Sequence, residues 1–264
     1  MNDLVFDVGM HTGEDTAFYL AKGFRVVAVE ADPGLVERAR ERFADAIDCG
    51  RLTIHPVAIA SHQGTTTFYR NEEKSDWGTT SPAFVARNEA FGSRHTPVEV
   101  PCMPLDEIIR SSGIPYYAKI DIEGADLLCL RSFLAFDERP RYVSIETSLD
   151  DFEAFFGELS LLWLLGYRRF KTVDQRLNGS VRCPDPPLEG LYVDQRFDGH
   201  MSGPFGEEAP GSWEGVDETL ARHRRILEAR RSHTHPRRRW RPWRRPEPLG
   251  WYDLHAALPR ETGP

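Results

Sequence analysis

The chain is poor in cysteine, with four thiols (Cys49, Cys102, Cys129 and Cys183) among 264 residues. They are widely spaced and form no C-x-x-C pair, so neither a disulfide framework nor a cysteine zinc site is expected. Reduced thiols in a cytoplasmic protein are. No apolar run is long enough to cross a bilayer, and no signal-peptide pattern precedes the first apolar strand. The middle glycine of a G-x-G-x-x-G fingerprint is missing as well. The turn reads G-M-H-T-G from Gly9 to Gly13, and without that glycine the backbone has no close approach for a pyrophosphate. Positive charge is also in deficit, with 33 basic residues against 41 acidic ones. The deficit is uneven, because eleven arginines and one acid, Glu228, fall between Arg222 and Arg245. That stretch carries about +10 and the rest of the chain about −18, an acidic body with a basic tail.

What the chain does have is a series of apolar strands that end in carboxylates. Residues 4–13, L-V-F-D-V-G-M-H-T-G, read as a strand, a glycine turn and a helix start. Gly9 permits a sharp turn, Gly13 lets the helix come close to a ligand, and the free amides of the helix start point into the same space. A second strand, R-V-V-A-V-E, ends about twenty residues later in Glu30, which is placed to accept both hydroxyls of a ribose. Two ligands suit such a cleft, a dinucleotide and S-adenosylmethionine. Asp7 would repel a pyrophosphate, whereas it suits the ammonium and sulfonium of S-adenosylmethionine.

Further along, the spacing predicts a helix over residues 13–22 with Thr12 and Asp15 in capping-box spacing. A second helix is expected from Asp32 and Pro33, with Leu35, Ala39, Phe43 and Ile47 as its core stripe. A third strand is expected at 52–60 with a hairpin partner at 65–69. Residues 71–97 lack periodicity, contain W-G-T-T-S-P and read as a loop near the cleft. A short strand at 98–102 and a helix at 105–110 lead to residues 117–126, Y-A-K-I-D-I-E-G-A-D. There a buried strand ends in Asp121 and Glu123, and Gly124 turns into a helix with Leu127, Leu128, Leu130 and Leu134 on its inner face. In a doubly wound sheet the carboxyl ends of the central strands face the ligand crevice, so Asp121 is expected beside whatever Asp7 and Glu30 hold. Residues 141–146 repeat the plan and end in Glu146. A helix at 150–165, a strand at 167–173 and a last strand at 191–197 are expected to follow.

Three stretches, D-V-G-M-H-T-G, V-V-A-V-E-A-D-P and K-I-D-I-E-G-A-D, together resemble the FkbM family of S-adenosylmethionine-dependent methyltransferases over roughly residues 4–173. The resemblance implies a class I methyltransferase fold, Rossmann-like and α/β, with a doubly wound, mostly parallel seven-stranded sheet and one antiparallel strand. It implies methyl transfer mostly to hydroxyl oxygens of sugars, polyketides or related metabolites. Asp7, Gly9 and Gly13 would cradle the methionine end, Glu30 with the adjoining Ala31 the ribose, and Asp121 and Glu123 would lie at the reaction end. Many members have Ala-Asn where this chain has Met10-His11, and His11 would then hydrogen-bond the cofactor carboxylate. The methyltransferase domain is expected over residues 1–200. A basic, partly helical extension over 201–264 is a candidate lid.

A hydroxyl is a poor nucleophile until its proton is taken, so a base is needed. Asp121, Glu123 and His11 are the candidates by position, with Glu146 and His255 behind them. Asp121 has the alternative role of binding the methionine amine, and Glu123 that of capping a helix. No metal ligands are assigned; carboxylates suit magnesium, but two acids are a sparse donor set. The expected partner is a small-molecule or glycan acceptor, with a homo-oligomer left open. Arginines interleaved with Trp240 and Trp243 could meet nucleic acid, a membrane surface or an anionic glycan. A solvated extension is the plainer reading, and nucleic acid is disfavoured because no recognition fold accompanies the patch. Two other functions stay open, a nicotinamide oxidoreductase and a non-catalytic protein whose basic tail grips an anionic polymer.

Overall fold

The computed structural model describes residues 2–149, 151–234 and 250–260. The order begins β1 (Leu4–Val8), α1 (Glu14–Ala21), β2 (Arg25–Val29), α2 (Pro33–Arg42), α3 (Ala44–Asp48) and β3 (Leu52–His55). It continues with β4 (Ala58–Ile59), β5 (Gly64–Asn71), α4 (Pro82–Ala90), β6 (His95–Met103), α5 (Leu105–Ser112) and β7 (Tyr117–Ile120). The rest is α6 (Asp126–Ser132), β8 (Tyr142–Glu146), α7 (Phe152–Leu164), β9 (Arg169–Asp174), α8 (Val216–Thr234) and β10 (Tyr252–Ala257).

Seven strands form one sheet in the order β3-β2-β1-β7-β8-β10-β9. All neighbours are parallel except β10, which runs antiparallel between β8 and β9. This is the class I methyltransferase arrangement that the motifs imply. Residues of β1 are buried on both faces, as a central parallel strand requires. Leu4, Phe6 and Val8 join the apolar layer built with α5, α6 and α7, while Val5 joins the opposite layer with Phe18 and Tyr19 of α1. Three strands make a second sheet, β4-β6-β5, in which the long β5 and β6 pair antiparallel and the two-residue β4 adds to β6.

Where elements depart from the sequence expectation, a contact distant in sequence decides. Thr12 and Asp15 do not form a capping box: α1 begins from Gly13 with no side-chain cap. The Thr12 hydroxyl turns to Glu14, and Asp15 accepts the Ser202 amide at 3.0 Å. The strand expected at 52–60 is two strands in different sheets, and β5 pairs with β6 rather than forming a hairpin with its predecessor. Residues 71–97 contain α4, which the aperiodic sequence did not announce. Leu134 is 45% exposed and off the inner face. The last strand is not at 191–197, which forms none. It is β10, so the sheet takes an internal strand from beyond residue 200. The arginine-rich residues 237–245, with Trp240 and Trp243, lie outside the described residues.

Candidate active site

A cavity of about 1000 Å³ opens where the carboxyl ends of β1, β2, β7 and β8 meet the start of β10. Gly9, Met10, His11, Glu30, Ala31, Asp121 and Glu123 all line it. The turn after β1 is tight because it must be: Gly9 has φ of 89°, and a Cβ there would stand 1.8 Å from the carbonyl oxygen of Asp121. Only glycine lets the first turn lie against β7 and leave the space beside it open. Asp7 and Gly13 do not line the cavity. Asp7 is fully buried beneath it, accepting the Thr16 hydroxyl at 2.6 Å and pairing with Lys119 at 3.3 Å. Gly13 gives up its Cβ to packing, since one would meet the Phe43 ring at 2.6 Å.

Glu30 is buried and accepts the amides of His11 and Asp32, each at 2.8 Å, one on each oxygen. Burial pushes its carboxyl up to about 7. His11 lies in the left-handed region with φ of 52°, and its Nε2 meets the Ser75 hydroxyl at 2.8 Å. Burial depresses its pKa. Asp121 reaches into the cavity with its side chain 45% exposed, 3.9 Å from Lys119.

Glu123 is the other non-glycine residue at positive φ among those described, at 51°. Backbone strain of that kind persists where surrounding bonds enforce it. Here the Thr79 hydroxyl donates to the Glu123 carbonyl at 2.6 Å and Arg87 donates to its carboxylate at 2.8 Å. Both donors come from residues 71–97, so the stretch expected near the cleft does face it, through Lys74, Trp77, Phe84 and Arg87. Burial, with Asp121 next in weight, pushes Glu123 up to about 7. It caps no helix. The helix that follows, α6, has no side-chain cap; its first residue, Asp126, instead accepts the amides of Ile122 and Gly124 in the preceding turn at 3.4 and 3.3 Å.

The electrostatics share one cause. Nine acids line the cavity against Lys74, Arg87, Lys119 and Arg230. Burial, then the charge on Asp121, pushes Asp126 to about 7 and holds Glu146 and Asp253 well above the carboxylate range. Glu146 and Asp253 face each other across the β8–β10 pair. Lys119 is the buried counter-ion, 3.3 Å from Asp7 and 3.7 Å from Asp15; those charges outweigh burial and keep it protonated. Acids outnumber bases in this site, and a cationic ligand beside Asp121 would offset that excess. S-adenosylmethionine is such a ligand: Asp121 would meet its cationic end, the Gly9–His11 turn its methionine and Glu30 its ribose. A pyrophosphate would meet carboxylates instead.

Of the two further sequence candidates, His255 falls outside the cavity and Glu146 within its lining. His255 is buried on β10, does not line the cavity, and is pushed by burial down to about 3. Glu146 lines the cavity but is buried against Asp253. Among the described residues no three His, Cys, Asp or Glu side chains group to hold a metal ion, so magnesium gains no donor set. No described helix is long and apolar enough to cross a membrane. Sequence reasoning missed Lys119, although it shares a strand face with Asp121 two residues on. It also missed Arg87, which only the fold of 71–97 brings to Glu123.

The family model for the methyltransferase FkbM domain matches residues 7–169. A search of curated proteins finds no match. Among solved structures, the methyltransferase FkbM from Methylobacillus flagellatus KT is 20% identical with a TM-score of 0.36, over 55% of this chain and 33% of that one. The chain thus spans a third of that relative's length. An S-adenosylmethionine-dependent methyltransferase from Archaeoglobus fulgidus is 13% identical with a TM-score of 0.39, over 97% of this chain and 86% of its own. The precorrin-6y C5,15-methyltransferase from Geobacter metallireducens GS-15 is 9% identical with a TM-score of 0.39, over 98% and 80%. With the family model spanning residues 7–169, from the end of β1 to the start of β9, the chain belongs to the FkbM methyltransferase domain family.

Proposed function

We propose that this protein transfers a methyl group from S-adenosylmethionine to a hydroxyl oxygen of a carbohydrate or other small metabolite. The observation that carries the reading is the excess of buried carboxylate around Asp121, which asks for a cationic ligand at the place where the family's motifs converge. The chemistry S-adenosylmethionine supplies when bound is a methyl carbon on a cationic sulfur, transferred with the carbon–sulfur electron pair staying on sulfur.

The chain's own residues would do the rest. Glu30 presents both oxygens to a ribose while its backbone bonds hold it in place. Asp121 offsets the positive charge of the cofactor. Glu123 takes the hydroxyl proton: a carboxylate with a pKa near 7 is partly ionised at neutral pH and strong enough to accept one. Arg87 holds Glu123 toward the cavity, and Trp77 and Phe84 form the apolar wall an acceptor ring would rest on. Position, then a base, are the protein's two contributions to such a displacement.

Calorimetry with S-adenosylhomocysteine and with NAD tests the cofactor. Saturable binding of S-adenosylhomocysteine is expected, and binding of NAD alone would overturn the reading. Incubating a lysate with a deuterium-labelled methyl donor, with and without the protein, tests transfer: a labelled metabolite gained only with the protein is expected. Label arriving on nitrogen would overturn the hydroxyl assignment.

A further inference from the structure

A second hollow, of about 620 Å³, lies between β9, α8 and the start of β10. It shares Arg230 and Gly250 with the carboxylate-rich cavity, so the two adjoin across one wall. Its charge is opposite. Arg176, Arg222, Arg225 and Arg230 line it against a single acid, Asp174. Asp174 is engaged by Arg176 at 2.5 Å, and Arg222 is engaged by Glu214. Arg225 makes no ion pair among the described residues, and its Nε reaches only the Ala221 carbonyl of its own helix, at 3.3 Å. A guanidinium with open donors recognises a carboxylate through two parallel bonds.

Three of the five arginines of α8 line the groove, at positions 222, 225 and 230, and span roughly 12 Å of helix at about 1.5 Å per residue. That length suits a run of anionic groups better than one small anion. Tyr252 is the one ring among the lining residues, so the groove lacks the series of aromatic faces on which nucleic-acid bases stack.

We infer that this groove holds the acidic, carboxylate-bearing part of an oligosaccharide acceptor whose reacting hydroxyl enters the adjoining cavity. The inference rests on the methyl-transfer reading and extends it to the acceptor's charge. It also accounts for the opposite balances of the two sites, acids in excess in the cavity and arginines in the groove: one takes a cation and the other an acid.

The test is binding of an oligogalacturonate and of a neutral maltooligosaccharide to the full chain, to Arg225→Glu, and to a chain whose arginines at 237–245 are replaced by glutamine. Each preparation is also titrated with S-adenosylhomocysteine. The full chain is expected to bind the acidic sugar and not the neutral one, and Arg225→Glu to weaken that binding by about tenfold or more. Equal binding of the neutral sugar, tighter binding of an oligouridylate, or a loss confined to the 237–245 variant would overturn the inference. Retained S-adenosylhomocysteine affinity alongside any of those results leaves the methyl-transfer reading standing. Acidic-sugar binding without it would sink that reading instead.

Discussion

Residues 4–174 and residues 183–260 complete the same structure by different means. In the first region β1, β2, β7 and β8 each lead through a turn into a helix, and β2 and β3 each pair with the strand just before them in order. In the second, a long run without strand or helix crosses the face of α1 and is fixed by single contacts to distant residues. Glu208 pairs with Lys22 at 2.8 Å with both side chains fully buried, Asp15 accepts the Ser202 amide, and the Phe205 ring stacks on Tyr117 at 4.2 Å. The lesson is that repeated short-range patterns announce themselves in a sequence, whereas a wrap held by pairwise long-range contacts has no pattern to announce.

The sharpest way to break this contrast is to separate the regions. A chain ending at residue 200 retains every motif of the family match but lacks Glu208, Phe205 and β10. Without β10 the antiparallel place between β8 and β9 is empty and two strand edges are exposed. Residues 1–200 are expected to aggregate or to show no cooperative thermal transition. A soluble, cooperatively melting fragment that binds S-adenosylhomocysteine would mean the second region is an accessory after all.

A smaller perturbation asks how firmly the wrap is fastened. Glu208→Ala leaves the Lys22 ammonium buried without its carboxylate and frees the amides of Leu188 and Glu189, which Glu208 accepts at 2.9 and 3.1 Å. Removing one partner of a buried pair costs about 3–5 kcal/mol. Pairing Lys22→Met with Glu208→Gln removes both charges yet keeps an acceptor for the two amides, and is expected to recover most of the loss. Denaturant melts of the single and double variants read this directly. Equal losses in both would show that the pair is not what fastens the segment.

Legibility follows the same division. Asp121, Glu30, Gly9 and His11 could be placed because a parallel strand announces its carboxyl end with a break in an apolar run. Asp7 lies one layer below the cavity: the acid precedes the turn, and the strand's alternation points it at Lys119. Residues 191–197 looked like a strand by composition, while the true seventh strand, Y-D-L-H-A-A, sits beyond the arginine-rich stretch. Nothing local distinguishes the two. The choice is made by Asp253 and Leu254 finding Glu146 and Ile145 in register. Arg87 was illegible for the same reason, since α4 has only weak amphipathic character and is placed by Glu123 and Trp77.

At the cavity itself, Glu123→Gln keeps the shape and removes the proton acceptor. Loss of a positioned base typically costs about 10²–10⁴ in rate. A fall of at least about 10² in kcat is expected, with the affinity for S-adenosylhomocysteine within a few-fold of the parent. For the parent, kcat should rise with pH through about 7 as Glu123 ionises. The variant should lose that rise. A variant with unchanged kcat would move the base to Asp121 or His11.

The mildest expected effect distinguishes the regions by pH. Glu30, Glu123, Asp126 and Glu158 are all raised by burial from about 4.5 or 3.8 to about 7 in the folded protein, and Glu146 and Asp253 are held higher still. A carboxyl whose folded pKa is raised binds more protons folded than unfolded, so its stabilisation is complete below its ordinary value and is lost as pH rises through the folded one. The buried His223 and His255, lowered to about 4 and 3, pull the opposite way, but near pH 7 and above they are mostly neutral in both states. Lys171, lowered by burial to about 8, opposes the trend only as pH nears 8. Between pH 7 and 8 the first four acids lose roughly 0.4 kcal/mol each, about 1.5 kcal/mol together, which a 264-residue chain shows as a drop of a few degrees in Tm. All six acids line the cavity; five come from residues 4–174 and Asp253 alone from residues 183–260. A cation bound beside Asp121 would favour their ionised forms and flatten the slope, so the drop should shrink in saturating S-adenosylmethionine. A slope unchanged by that ligand would place the cation away from Asp121.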